Sequence, residues 1–120
     1  MDWSLAGRRH DPATVQGRLW SGLQRLIAAR RATRAIHVQG ATEPVWTGND
    51  HVFGICRQQA GESLLVVANF TADPQAVSLD VARSRGFELT GSAVEPDGRS
   101  LESYHDFVVL APYQHLWFYA

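Results

Sequence analysis

The sequence predicts a mainly β protein, an antiparallel β-sandwich preceded by one long amphipathic α-helix. Three observations point there. Apolar residues recur at helical spacing in one stretch, Asp11 to about Arg31. From Ala35 onward, short runs alternate in the β pattern, with turn residues every ~8–12 positions. The run Ser63-Leu-Leu-Val-Val-Ala-Asn-Phe70 is apolar almost throughout, which suits a central strand buried on both faces.

The helix has a clear start. Asp11 can cap the free amides of a first turn, and Pro12 fits the first helical position. Val15, Leu19, Leu23, Leu26 and Ile27 then share one face, with Arg18, Ser21 and Arg25 on another. Gly17 and Gly22 each cost about 1 kcal/mol relative to alanine inside a helix. Both make sense where the helix lies close against another backbone.

After the helix, Ile36 to Val38 reads as a short extended run ended by Gly40. Glu43 to Trp46 is extended too, because the residue before Pro44 avoids the helical region. Thr47-Gly-Asn-Asp50 is a turn cluster leading into a half-buried strand, His51 to Arg57. Gln58 to Glu62 makes a hairpin turn before the central strand, and Asp73-Pro74 breaks that strand. Ala76 to Leu79 and Phe87 to Leu89 alternate as strands, and Thr90-Gly91 turns the chain. Val94 to Ser103 reads as a polar loop or short edge hairpin. Asp106 to Leu110 and Tyr113 to Tyr119 close the chain as two strands joined through Ala111-Pro112.

Composition narrows the function classes. A chain of 120 residues can bury a real core, and its apolar fraction of 45% is that of a globular protein. No apolar run approaches the ~18–20 residues that span a bilayer. Met1-Asp-Trp-Ser has no basic and apolar signal segments, which leaves the compartment open between cytoplasmic and secreted. Charge is uneven. Residues 1–34 hold seven arginines against two acids, a balance of +5, and residues 35–120 hold four against ten, a balance of −6. Nucleic acid is still disfavoured as a partner, since the chain has no lysine and no aromatic-interleaved basic platform. The arginines suit a helix whose charged face meets solvent or an adjoining domain.

The motifs of site chemistry are missing. The twelve carboxylates fall singly in turns and on polar strand faces. The five histidines (His10, His37, His51, His105, His115) lack metal-ligand spacing, and His115 is expected to face outward or be hydrogen-bonded. Cys56 is the single cysteine, expected as a small apolar filler within a strand. No Gly-rich phosphate loop or Gly-x-Ser-x-Gly elbow occurs. No catalytic residue, cofactor site or metal site is expected.

Several segments resemble a known family. Arg9-His-Asp-Pro-Ala-Thr14, Gly17-Arg-Leu-Trp-Ser-Gly-Leu23 and Ile27-Ala-Ala-Arg-Arg31 resemble the final barrel helix of amylosucrases, in the α-amylase family of glycoside hydrolases. His51-Val-Phe-Gly-Ile-Cys-Arg57, Leu65-Val-Val-Ala-Asn-Phe-Thr71, Pro74-Gln-Ala-Val77, Glu88-Leu-Thr-Gly91 and Leu110-Ala-Pro-Tyr-Gln-His-Leu-Trp-Phe118 resemble that family's C-terminal β-sandwich. The match runs in order over essentially the whole chain. It implies that residues 1–34 are the final helix of a truncated (β/α)8 barrel and residues 35–120 the C-terminal antiparallel β-sandwich domain. It further implies a parent enzyme that splits sucrose by the retaining mechanism, through a covalent glucosyl intermediate, with its carboxylates on barrel loops. No position here matches a family catalytic motif. The implied role is therefore non-catalytic, packing on the catalytic barrel and stabilising it, with a carbohydrate (α-glucan) binding module as the alternative.

Trp46 is the candidate for a sugar-stacking platform, because it sits beside a turn where an aromatic face can stay exposed. Trp117 is expected in the core or a domain interface, and Trp20 is expected to pack. The helix's apolar face, without its barrel, is expected to self-associate through residues 12–31 or to be loosely docked.

Overall fold

The computed structural model describes residues 3–37, 39–87, 93–94 and 102–120. The chain divides into two compact units, Met1–Ala32 and Thr33–Ala120.

The first unit is helical. Helix α1 (Trp3–Gly7) runs into a 3-10 turn (Arg8–His10), and helix α2 spans Val15–Ala32. Helix α2 begins later than the Asp11-Pro12 signal suggests, because Thr14 is the residue that caps it. Its Oγ1 accepts the Gly17 amide at 3.0 Å and its carbonyl accepts the Arg18 amide at 3.1 Å. Asp11 instead closes the preceding turn: its Oδ1 accepts the Ala13 amide at 2.9 Å and its carbonyl the Thr14 amide at 3.1 Å. Pro12 therefore lies in that turn.

Gly17 is the one buried residue of α2, and a Cβ there would collide with the Asp11 carbonyl. The close backbone expected at this glycine is thus the helix's own capping turn. At Gly22 a Cβ would meet nothing within 4 Å. The two glycines should respond in opposite senses. Gly22→Ala is expected to raise the thermal midpoint of helicity, gaining about 1 kcal/mol of helix propensity. Gly17→Ala is expected to lower it, because the clash displaces the turn and its cap. Circular-dichroism melts showing both variants stabilised would contradict this.

The second unit is β. Its strands are β1 (Ala41–Pro44), β2 (Val52–Gln59), β3 (Glu62–Asn69), β4 (Gln75–Ser78), β5 (Ala93–Val94), β6 (Glu102–Tyr104), β7 (Phe107–Leu110) and β8 (His115–Tyr119). Among the described residues they form a five-stranded sheet in the order β1-β2-β3-β8-β5 and a three-stranded sheet in the order β4-β7-β6. All described pairings are antiparallel. The fold class read from the sequence is the one observed.

The hairpin of β2 and β3 is tighter than expected. Its loop is only Ala60-Gly61, both with positive φ (53° and 82°), and Gln59 pairs with Glu62. Such two-residue turns match the strands' right-handed twist, so the ladder extends to the turn. Central strand β3 lies between β2 and β8, as its continuous apolar run requires.

Two local expectations are corrected, the extended run at Ile36 and the start of the last strand. Arg34–Ile36 is a 3-10 turn, closed by the His37 amide on the Arg34 carbonyl at 3.0 Å, and is not extended; Val38 lies outside the described residues. A short helix α3 (Asp80–Arg83) follows β4. Of the strand expected at Phe87 to Leu89, Phe87 is buried and residues 88–90 lie outside the described ones. The last strand starts at His115, because Tyr113 takes a positive φ of 56° and the Gln114 side chain closes the turn, its Oε1 accepting the Ala111 amide at 2.8 Å. Of the stretch expected as a loop or edge hairpin, Val94 ends β5 and Glu102-Ser103 opens β6; residues 95–101 lie outside the described ones.

The core lies between the sheets. Leu65, Val67, Leu116 and Phe118 of the larger sheet meet Val77, Val108 and Leu110 of the smaller, with Phe87 and Ala82 filling one end. Cys56 is buried in the same cluster, an apolar filler as its setting suggested.

Candidate functional site

Two exposed surfaces stand out, one in each unit. In the helical unit, Val15, Leu19, Leu23 and Ile27 follow one another at intervals of four along α2, and all are exposed, Leu19 at 69%. Beside Leu19 and Leu23, with Leu5 of α1, lies a shallow groove of about 280 Å³. Trp20 borders it, still 39% exposed, with the Arg9 guanidinium 5.6 Å from its ring. Trp20 therefore does not pack away as its place beside the stripe suggested. Within the helical unit its neighbours along the groove are Leu5, Leu19 and Leu23, with the Arg9 cation over its ring.

In the β unit, the face of the larger sheet turned away from the core is also apolar. Strand alternation places Phe53 and Ile55 of β2, Val66 and Ala68 of β3 and Trp117 of β8 on it. The register aligns Ile55, Val66 and Trp117 in one row and Phe53, Ala68 and His115 in the next. One end of this face is covered by the segment after the helix. Arg57 donates to the carbonyls of Ala35 (3.2 Å) and His37 (2.8 Å), and the Thr33 and Tyr119 hydroxyls are 3.0 Å apart. Trp117 is buried, in keeping with a core or interface residue, and His115 is half-buried on the outer face.

The other end opens into a cleft of about 640 Å³. Trp46, in the segment between β1 and β2, forms part of it with 69% of its surface exposed. Phe53 and Phe70 line it too, with ring centroids 6.3 Å apart in an edge-to-face arrangement. Asn49, Asp50, His51 and Thr71 supply its polar groups. The two phenylalanines were not singled out from sequence. The signal lay in the register: a two-residue turn at Ala60-Gly61 pairs Phe53 with Ala68 and brings Phe70 beside it on the same face.

Among the described residues no group of three or more His, Cys, Asp or Glu side chains could hold a metal ion. The Arg85 guanidinium bonds Glu43 at 2.9 and 3.3 Å and holds its carboxyl below the usual range, but this pair is exposed and joins β1 to the segment after α3.

Residues 49–118 match the family described as D-apionate lactonase, C-terminal immunoglobulin-like domain. The chain belongs to this family. The immunoglobulin-like domain also has fold neighbours in much longer proteins. Amy13B of Eubacterium rectale aligns with 96% of the chain at 19% identity and a TM-score of 0.69, the chain covering 21% of that protein. A MutB mutant in complex with the substrate sucrose aligns with 96% at 24% identity and a TM-score of 0.62, the chain covering 19% of it. Bacillus licheniformis trehalose-6-phosphate hydrolase aligns with 91% at 20% identity and a TM-score of 0.63, again over 19% of its length. The chain thus spans about a fifth of the structures it matches, and the likeness is one of fold.

Proposed function

We propose that this chain is the non-catalytic C-terminal region of an amylosucrase-like sucrose glucosyltransferase or hydrolase, and that it packs on the catalytic barrel and stabilises it. On this reading residues 1–34 are the last barrel helix and residues 35–120 the immunoglobulin-like domain behind it. The observation that carries it is α2 itself: 18 residues long, it buries only Gly17 while four large apolar side chains in register stay exposed. A helix gains most of its stability from burying such a stripe, so the stripe calls for a partner layer. The fold neighbours, enzymes of the α-amylase family, support a barrel as that partner. The motifs around Arg9 to Thr14 and Pro74 to Val77 support amylosucrase within the family. A second reading, in which the domain also holds α-glucan, is supported by the exposed aromatic cleft at Trp46.

The test uses the chain and the separately produced remainder of its enzyme. The pure chain is expected to release neither glucose nor fructose from sucrose. Added to the remainder, it is expected to raise both its thermal midpoint and its sucrose cleavage. Sugar release by the chain alone, or a remainder indifferent to it, would overturn the proposal.

A further inference from the structure

The cleft beside Trp46 is built in a way that a docking surface does not require. Trp46 is exposed, yet its neighbours are anchored. Val45 and Thr47 are both buried; the Val45 amide donates to the Gly54 carbonyl at 2.9 Å and the Thr47 hydroxyl to the Val52 carbonyl at 2.9 Å. Gly54 is needed there, since a Cβ would press on the Val45 carbonyl. Asn49 pins the turn from the other side, its Nδ2 donating to Gln75 Oε1 and the Ala76 carbonyl, both at 3.0 Å. The indole is thus held outward by a fixed backbone.

The polar groups divide sharply. Asn49 and Thr71 are spent on the fold, Thr71 Oγ1 lying 2.8 Å from Asn69 Oδ1 and 3.0 Å from the Asp73 carbonyl. The Asp50 and His51 side chains are exposed and carry no hydrogen bond or ion pair among the described residues. The cleft therefore offers a flat aromatic wall, two further rings, one free carboxylate and one free imidazole.

A pyranose ring fits this chemistry. It has an apolar C–H face that stacks on an indole and a rim of hydroxyls that need both donors and acceptors. At about 640 Å³ the cleft is of ligand-site size. We propose that it binds saccharide, one glucosyl ring stacking on Trp46 while Asp50 and His51 bond its hydroxyls. The choice of a glucosyl ring rests on the accessory-domain reading above; the choice of a sugar rests on the cleft.

The experiment titrates the intact chain with sucrose and with maltotriose, read by amide NMR shifts and tryptophan fluorescence. Saturable shifts centred on residues 44–54 and 70–71 are expected with at least one probe. Trp46→Ala should weaken binding about tenfold or more, the loss of one stacking contact, with the fold unchanged by circular dichroism. Trp46→Phe should retain most of the affinity, and Asp50→Asn should weaken it without lowering the thermal midpoint. No saturable response to either sugar would overturn the proposal, and so would binding that survives Trp46→Ala or shifts centred elsewhere. The docking role is read separately, from the stability of the mixture with the barrel, so either idea can fail alone.

Discussion

Asn69→Asp is expected to unfold the β unit at neutral pH or to leave it barely stable. Asn69 is 2% exposed at the end of the central strand. Its Nδ2 donates to the carbonyls of Asp73 (2.8 Å), Ala111 (3.0 Å) and Leu110 (3.3 Å), while Oδ1 accepts the Thr71 amide and hydroxyl, both at 2.8 Å. One side chain thus ties β3 to the loop before β4 and to the end of β7, across the two sheets. An aspartate has the same shape but would aim a carboxylate oxygen at three carbonyl oxygens. An unpaired buried charge costs on the order of 3–5 kcal/mol, a large share of the ~5–15 kcal/mol that holds a domain together. The pH dependence follows. The introduced carboxyl would titrate in the folded state above its unfolded value of about 3.9. The folded state then binds more protons, so stability falls as pH rises through that value. Urea melts near pH 4 should show a smaller loss than melts at neutral pH. Asn69→Ala, which removes the network without adding charge, should show little difference between the two. Equal loss for Asn69→Asp at both pH values would mean that the carbonyl cage is not what holds this residue.

Most of the β unit was legible because its signals are local and agree with one another. The apolar run of β3, the Asp73-Pro74 break and the alternation of β2 each fix one element without reference to the rest. What could not be read was where a local signal had two outlets. Asp11-Pro12 is a good helix start, but Thr14 is as good a cap, and the turn between them gives the helix to Thr14. Ile36 to Val38 has β-branched residues, but the chain leaving α2 first makes a 3-10 turn that Arg57 pins from another strand. Such contacts depend on register across the sheet, which no short window contains.

The candidate site shows the same division. Trp46 beside a turn was readable as an exposed aromatic. Phe53 and Phe70 were not, because each looked like an ordinary strand residue until the hairpin set them edge to face. Trp20 was misjudged for the opposite reason. Its place beside the stripe suggested packing, whereas in the helical unit it stays 39% exposed at the edge of the groove, with Arg9 over its ring.

The last expected result concerns the stripe on α2. Replacing Leu19 and Leu23 together by aspartate should barely change the stability of the 120-residue chain, yet, on the proposed reading of α2 as a barrel helix, should sharply destabilise the enzyme assembled around it. In the chain these side chains are exposed at 69% and 50%, so little burial is lost. Helix propensity falls by a few tenths of a kcal/mol per site, since aspartate is a weaker helix former than leucine. Against a barrel, each leucine would be covered and contribute about 1.5–3 kcal/mol of burial. Two aspartates there would add the cost of charges facing an apolar layer without partners. The two effects together should exceed about 5 kcal/mol, enough to detach the helix or prevent assembly. The control is Arg18→Asp with Arg25→Asp on another face, which changes charge more but buries nothing and should be far milder in the enzyme. Thermal midpoints of both double variants, in the chain and in the enzyme, decide the matter. If the leucine variant melts with the parent in both settings, the stripe is not the surface that meets the barrel.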